Sequence, residues 1–223
     1  MRTFRHPSGQ EQKLVVADLT KDGAGLFTKA IGTGRSTVVY SDPPWNPGNE
    51  KYWRRFAKLE APTAYDELLR GWCACVVAAA PQHIFVEQSV IPKHKQMLLD
   101  AIAIAPGWKL PLLEEWVCIY GSPKRPNALL HFGLERLTTD PTGMSGLEMV
   151  RTVIRGLPIL SGDLRRLPGV KSPRPILADP CMGLGTTSRI AHEFGFDCVG
   201  TELNAVRLGR TIGNLLKLGY VES

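Results

Sequence analysis

The sequence predicts an α/β fold in which helices cover both faces of a mostly parallel sheet. Short β-branched or aromatic segments at 37–40, 83–86 and 175–179 alternate with longer segments whose apolar residues recur at helical spacing. The chain has 223 residues, which is enough for one substantial α/β domain and leaves little for a second. We therefore expect a single domain that spans 1–223.

The composition is that of an ordinary globular protein with a basic balance. Hydrophobic residues make up 43% of the chain and charged residues 22%, and the formal net charge is +6 at pH 7. This charge fits a polyanionic partner but does not by itself establish one, since many enzymes are mildly basic.

The sequence carries no sign of a membrane, secretory or metal-binding protein. No apolar run is long enough to cross a bilayer, and residues 1–7 lack the apolar stretch of a secretory signal. The five cysteines form no CxxC pair, so they predict neither a zinc site nor a disulfide framework. We expect a cytoplasmic protein with no membrane partner and no metal.

A proline turn ends the first clear strand of the chain. Residues 1–36 are polar and glycine-rich and are predicted as an N-terminal extension, with one apolar patch at 14–16. Residues 37–40 form a predicted strand, which the two prolines at 43–44 cannot continue. The basic and aromatic residues 46–62 are predicted as a loop or an irregular helix.

Helices and strands then alternate to the end of the chain. Thr63 fits an N-cap with Asp66 three residues later, and apolar residues at helical spacing extend the predicted helix to Ala80. Further strands are predicted at 83–86, 116–120, 129–132, 175–179 and 197–202, and further helices at 93–105, 146–155 and 187–193, with a closing helix through 216.

The turn Asp42-Pro43-Pro44-Trp45 directly follows a predicted strand, at the end where an open α/β sheet binds its ligands. One reaction that such a turn could serve is methylation of an exocyclic base amine. This amine is a poor nucleophile because its lone pair is delocalised into the ring. The carboxylate of Asp42 and the rigidly aimed carbonyl of Pro43 would accept the two N–H bonds and let the lone pair localise. Trp45 offers a face on which a base that has left its duplex can stack. Taken alone, this segment would rather be interpreted as a stiff turn with a buried tryptophan.

A glycine turn, Asp179-Pro180-Cys181-Met182-Gly183-Leu184-Gly185-Thr186-Thr187, lies between a predicted strand and a predicted helix. Gly183 and Gly185 allow the backbone to approach a ligand closely. Glu202 ends the next strand 19 residues after Gly183, the offset at which nucleotide-binding α/β units place a carboxylate on ribose hydroxyls. Ser188 stands where a dinucleotide-binding turn has its third glycine, so the turn is not the dinucleotide fingerprint. The whole arrangement of strand, glycine turn, helix, strand and glutamate indicates a ligand with an adenosine ribose. The alternative is a tight strand–helix connection followed by a surface glutamate.

These two turns resemble those of the amino-methyltransferases that act on adenine N6 or cytosine N4 of DNA. The family's catalytic turn reads Asp/Ser-Pro-Pro-aromatic and its cofactor turn Asp-Pro-Phe-x-Gly-x-Gly-Thr-Thr, which match 42–45 and 179–187. The catalytic turn comes first, as in the permuted β group and in the related RNA adenine methyltransferases. The resemblance spans 37 to about 216 and implies a Rossmann-like methyltransferase fold with a mostly parallel seven-stranded sheet and permuted motif order.

The resemblance implies S-adenosylmethionine as the cofactor. The target amine would be bound by Asp42, Pro43, Pro44 and Trp45. The cofactor would lie against Asp179, Pro180, Cys181, Gly183, Gly185 and Thr186, with Glu202 on its ribose and Asn204 near its adenine. Cys181 departs from the family pattern, which usually has phenylalanine at that position.

A basic and aromatic segment next to the catalytic turn indicates a nucleic-acid partner. Its candidate contacts are Lys51, Tyr52, Trp53, Arg54 and Arg55, together with Lys124 and Arg125. The alternative for this segment is a solvated helix face. DNA is favoured over RNA as the partner, and a homodimer or a partner subunit is a further expectation.

The sequence thus predicts methyl transfer from S-adenosylmethionine to the exocyclic amine of a flipped-out DNA base. Adenine N6 is preferred because the turn begins with Asp, whereas Ser is commoner in cytosine N4 enzymes. A cytosine N4 enzyme, an RNA adenine N6 enzyme and a catalytically silent nucleic-acid-binding partner subunit stay open. The chain would divide into a catalytic half at 37–120, a short recognition loop at 121–145 and a cofactor-binding half at 146–223.

Overall fold

The computed structural model describes residues 1–32, 35–59, 64–121, 125–158 and 174–223, which form an α/β fold. The strands are β1 (Arg2–Arg5), β2 (Glu11–Val16), β3 (Thr37–Ser41), β4 (His83–Ser89), β5 (Leu112–Tyr120), β6 (Arg125–Gly133), β7 (Ile176–Asp179), β8 (Asp197–Glu202) and β9 (Val221–Glu222). The helices are α1 (Gly23–Ile31), α2 (Pro47–Phe56), α3 (Tyr65–Ala78), α4 (Pro92–Ala103), α5 (Gly146–Arg155), α6 (Thr186–Phe194) and α7 (Ala205–Lys217).

The strands of the described residues form one mixed sheet of nine, in the order β5-β6-β4-β3-β7-β8-β2-β1-β9. The five central strands from β4 to β2 run parallel, and antiparallel strands flank them on both sides. The expected mostly parallel sheet of seven strands was therefore wrong in strand number and in its edges. Short connections join β1 to β2 and β5 to β6, and such connections can join only antiparallel neighbours.

The predicted N-terminal extension contributes three elements to this fold, namely β1, β2 and α1. Strand β2 pairs in parallel with β8, and Leu14 lies opposite Gly200. Leu14 and Val15 are both buried, one against each face of the sheet. The apolar patch at 14–16 is therefore the end of a strand in which the adjacent residues Leu14 and Val15 are buried on opposite faces, while Val16 is exposed. Two consecutive buried residues give no alternation in the sequence.

Two apolar cores cover the two faces of the sheet. Helices α1, α3 and α4 pack on one face, where the largest fully buried side chain is Trp72. Helices α5, α6 and α7 pack on the other face, around Phe85 and Phe196. No helix in the described part of the chain is long and apolar enough to span a membrane.

Most predicted elements recur in the structure with shifted ends. The helix at 146–155 and the strand at 197–202 have the predicted bounds. Residues 47–56 form a regular helix, α2, because the Asn46 side chain caps it by accepting a hydrogen bond from the Asn49 backbone N–H at 3.0 Å. The proposed N-cap Thr63 lies outside the described residues, and α3 begins at Tyr65.

The parallel centre of the sheet brings distant parts of the chain to one edge. Strands β3, β7, β8 and β2 are consecutive neighbours and point the same way. Their carboxyl ends therefore lie side by side, and the residues that follow them share one crevice. Asp42 follows β3, while Asp179 ends β7 and Glu202 ends β8.

Candidate active site

One large cavity, of about 970 Å³, opens at this edge of the sheet. Both sequence motifs line it, the proline turn 42–45 from one side and the glycine turn from the other, with Glu202 beside the glycine turn. Residues almost 140 positions apart in the chain thus face the same space. This is the arrangement that a transfer reaction between two bound ligands requires.

The proline turn holds its carboxylate through two aromatic side chains. The Trp45 indole donates a hydrogen bond from Nε1 to Asp42 Oδ1 at 2.8 Å, and the Tyr120 hydroxyl also hydrogen-bonds to this carboxylate. The Trp45 ring packs edge-on against Tyr120, with ring centroids 4.6 Å apart. The Tyr65 hydroxyl donates to the Pro44 carbonyl at 2.7 Å. Among the described residues, no donor is paired with the Pro43 carbonyl, which leaves it open to a ligand.

Burial makes Asp42 a weaker acid than an ordinary aspartate. It raises the pKa of Asp42 to about 6, although the hydrogen bonds from Trp45 and Tyr120 and the charge of Arg207 act to lower this pKa. The negative charge of Asp42, followed by burial, raises the pKa of Tyr120 to about 12. Tyr120 therefore stays protonated and serves as a donor to the carboxylate.

A second buried carboxyl group, Glu87 on β4, lines the same cavity as the proline turn and was not foreseen from the sequence. The Tyr40 hydroxyl donates to Glu87 Oε1 and the Asn127 amide to Oε2, both at 2.8 Å. Burial and the negative charge of Asp42 raise the pKa of Glu87 to about 8. Its position inside a β-branched strand pattern gave only a weak signal, since a lone Glu there is usually expected to face solvent.

The glycine turn is built around its own aspartate. Asp179 accepts hydrogen bonds from the Cys181 backbone N–H at 2.9 Å and from the Thr187 hydroxyl at 2.6 Å, and thereby closes the turn. Gly185 has φ +81°, and a Cβ there would lie 2.5 Å from Thr211 on α7. Close contact with α7 therefore requires glycine at this position. Burial raises the pKa of Asp179 to about 7.

Glu202 and Asn204 join the glycine turn to the start of α7. The Glu202 carboxylate accepts the backbone N–H groups of Gly183 at 2.8 Å and Asn204 at 2.9 Å. The Asn204 side chain caps α7 and donates to the Phe56 carbonyl at 3.2 Å. Both side chains line the cavity, but that of Asn204 is engaged mainly within the protein. Of the other predicted cofactor contacts, Pro180, Cys181 and Thr186 also line the cavity.

Helix α2 carries most of the predicted nucleic-acid contacts at the mouth of the cavity. Lys51, Tyr52 and Arg55 are exposed, and Trp53 is half-buried. Arg125 is exposed where β6 begins and also lines the cavity, whereas Lys124 lies outside the described residues. These exposed cations are placed where a polyanion could reach them.

Arg54 was also predicted to contact nucleic acid, and the structure corrects this. Its side chain is only 6% exposed and forms ion pairs with Glu50 and with Asp18, whose Oδ1 lies 3.0 Å from Nη2. The helical period turns Arg54 inward while Arg55 faces solvent. Burial alone would raise the pKa of Asp18, but the hydrogen bonds from Arg54 and Thr20 lower it. Asp18 follows β2 and lines the cavity, so it was hidden in the segment predicted as an extension.

Within the described ranges, no group of three or more His, Cys, Asp or Glu side chains is arranged to hold a metal ion.

Comparison with known proteins finds a shared fold and no sequence relative. No protein-family model and no curated protein sequence matches this chain. The structure of M1.HpyAVI in complex with SAM superposes with a TM-score of 0.54 at 13% identity, covering 91% of this chain and 98% of that one. TTHA0409 from Thermus thermophilus, in complex with S-adenosyl-L-methionine, gives a TM-score of 0.56 at 14% identity over 92% and 95% of the two chains.

A third similar structure is the PvuII DNA methyltransferase, which is described as cytosine-N4-specific. It gives a TM-score of 0.53 at 11% identity and covers 90% of this chain and 85% of that one. At such identities the likeness shows the fold, so the chain has the α/β fold of these proteins.

The buried ion pairs of Arg54 predict a loss of stability when this side chain is removed. We expect Arg54→Ala to lower the free energy of unfolding by about 3 kcal/mol, because it leaves the carboxylates of Asp18 and Glu50 buried without a cation. Urea denaturation measures this change. The matched control, Arg55→Ala, removes an exposed cation from the same helix and should shift stability by less than about 0.5 kcal/mol. Equal stability of the two variants would contradict the structural role of Arg54.

Proposed function

We propose that the protein is an S-adenosylmethionine-dependent methyltransferase that acts on the exocyclic amine of a DNA base, with adenine N6 as the preferred target. The observation that carries this proposal is the meeting of the two turns in one cavity. The proline turn presents a carboxylate and an open carbonyl, and the glycine turn presents a backbone cradle with a carboxylate beside it. The fold shared with SAM-bound M1.HpyAVI and with the PvuII DNA methyltransferase supports the same proposal.

The cavity residues fit S-adenosylmethionine. A volume of about 970 Å³ lies at the upper end of the range for ligand pockets and has room for a cofactor and a base together. Each oxygen of Glu202 accepts one backbone N–H and keeps a lone pair for a ribose hydroxyl. When bound, this cofactor supplies an electrophilic methyl group on a sulfonium sulfur.

The proline turn would hold and activate the amine. Ionised Asp42 and the Pro43 carbonyl accept its two N–H bonds, so that the nitrogen lone pair turns toward the methyl donor. As the nitrogen gains positive charge, the Asp42 carboxylate stabilises that charge and accepts the proton that the nitrogen gives up. Trp45 and Tyr120 fix the carboxylate in place through their own hydrogen bonds to it.

Helix α2 and Arg125 would hold the nucleic acid over the cavity. Lys51 and Arg55 can contact phosphates, and the exposed Tyr52 ring can stack on a base. Strand β6 takes up residues 125–133 of the predicted recognition loop at 121–145 and pairs along its length with β4 and β5. We therefore propose a short, loosely defined target site, or a partner subunit that supplies the missing contacts.

Three alternatives make different predictions for the product. The PvuII methyltransferase makes cytosine N4 a second candidate target, and the turn Asp-Pro-Pro-Trp is also compatible with RNA adenine N6. A silent partner subunit would bind nucleic acid without methylating it. The open Pro43 carbonyl and the raised pKa of Asp42 favour a working site over a silent one.

Methylated nucleosides identify the reaction directly. The protein is incubated with isotopically labelled S-adenosylmethionine and with DNA or RNA, which is then digested to nucleosides and separated. We expect label in N6-methyladenine from DNA, and at least an approximately 100-fold loss in Asp42→Ala, since the amine loses the carboxylate that holds it. The control Asp66→Ala removes an exposed aspartate on α3 and should keep the rate. Label in N4-methylcytosine or in an RNA nucleoside would identify one of the alternative targets. The absence of label from every nucleoside would contradict the proposed methyltransferase activity.

The raised pKa of Asp42 predicts an acid limb in the pH–rate profile. Only the ionised carboxylate accepts both the indole and the amine hydrogen bonds, so kcat should fall as the pH drops through about 6. Tyr120→Phe removes a donor that favours the ionised form, and the midpoint should therefore move to higher pH. Single-turnover rates between pH 5 and pH 9 measure both midpoints. A wild-type rate that stays constant down to pH 5, or a downward shift in the variant, would show that Asp42 does not control the limb.

A further inference from the structure

Arg207, in the first turn of α7, lies in the cavity between the two motifs. Its guanidinium carbon sits 4.1 Å from the centroid of the Trp53 ring, over the face of the indole. Trp53 belongs to α2, so this contact crosses the cavity from the cofactor side to the target side. Arg207 is half-buried and was not singled out by either sequence motif.

Gly183 lies directly beside this guanidinium. A Cβ at Gly183 would lie 2.8 Å from Nη2 of Arg207, a clash that the flexible end of the arginine could relieve by moving. Glycine is required here by its φ of +59°, which L side chains rarely adopt. The turn expected to surround the cofactor therefore has a cation next to it.

The guanidinium keeps its hydrogen-bonding capacity free. Among the described residues, no acceptor is paired with its N–H groups, and no carboxylate lies within ion-pair distance. Its charge acts to lower the pKa of Asp42 and of Glu202, although burial raises both overall. The other cavity arginine with a buried side chain, Arg54, is fully engaged by Asp18 and Glu50.

A half-buried guanidinium with unpaired donors matches one class of ligand. Its five N–H groups form a planar fork that binds the two oxygens of a carboxylate or phosphate together. The contact with the Trp53 ring holds the guanidinium in the cavity without using its N–H groups as hydrogen-bond donors to an acceptor atom. A structural arginine would instead be expected to donate to protein acceptors, as Arg54 does.

We propose that Arg207, held over Trp53, binds an oxyanion of the cavity's ligands. This inference rests on the proposed function, which supplies two such groups: the carboxylate of the amino-acid part of the cofactor and a phosphate of the nucleic acid. Either one would place a negative charge beside the guanidinium, which lies next to Gly183 and over Trp53.

Binding measurements on three variants separate the two sources. Arg207→Ala removes the cation, Arg207→Lys keeps the charge without the planar fork, and Arg210→Ala removes an exposed arginine from the same helix as the matched control. Calorimetry follows S-adenosylmethionine and its decarboxylated analogue, which lacks only the carboxylate. Fluorescence anisotropy follows a labelled single-stranded oligonucleotide at several salt concentrations.

If the ligand is the carboxylate, Arg207→Ala should weaken S-adenosylmethionine by about tenfold or more and leave the decarboxylated analogue unchanged. If the ligand is a phosphate, the affinity for S-adenosylmethionine should be unchanged and the affinity for the oligonucleotide should fall. The slope of log K against log salt should then decrease in magnitude by roughly one. Arg207→Lys should recover part of either loss, and Arg210→Ala should match the wild type.

The outcomes also separate this inference from the proposed function. A wild type that binds neither ligand contradicts the proposed function, and inorganic phosphate, followed by tryptophan fluorescence, then serves as the probe of Arg207. Arg207→Ala binding every probe as the wild type does, or no oxyanion binding by either protein, would overturn the inference.

Discussion

The parallel pairing of β3 with β7 is the constraint on which the site depends. Val39 lies opposite Ala178, so the chain leaves both strands at the same edge of the sheet. Asp42 follows one strand and Asp179 ends the other, although almost 140 residues separate them in the sequence. Strands β8 and β2 continue the same edge and add Glu202 and Asp18 to it. The order in which the two turns occur in the chain is therefore immaterial to the site, because parallel pairing fixes which strand ends are neighbours.

This convergence crowds negative charge into a buried space. Asp42, Glu87 and Asp179 all have raised pKa values, chiefly through burial, and the charge of Asp42 further raises those of the other two. Arg207 is the cation whose charge acts on Asp42 and Glu202 from within the cavity. Arg54 has a different role, since it ties α2 to the segment after β2. The two arginines therefore differ: Arg54 holds α2 over the cavity through ion pairs, and Arg207 lines the cavity in contact with Trp53.

The sequence was sufficient to find the turns, which are formed by consecutive residues. It was insufficient to find features that depend on contacts across the sheet. The turns at Asp42 and Gly183 could be found because proline fixes φ and glycine permits positive φ, so these residues mark turns in the sequence itself. The role of Asp18 could not be found, because β2 is short, buried on both faces and far in sequence from its partner β8. Arg54 and Arg55 are adjacent and chemically alike, and only the orientation of α2 decides which one is buried. The predicted number of strands was wrong for a related reason, since no sequence motif marks the antiparallel strands at the sheet edges.

The central claim is that one cavity binds a cofactor through the glycine turn and a target amine through Asp42. Calorimetric titration of S-adenosylmethionine into the wild type, Glu202→Ala and Asp42→Ala tests it most directly. The account predicts that the wild type binds, that Glu202→Ala weakens binding by about 1–3 kcal/mol, and that Asp42→Ala changes it little. Circular dichroism of each variant establishes that the fold is retained. Absence of binding by the folded wild type, or unchanged affinity in folded Glu202→Ala, would contradict the account.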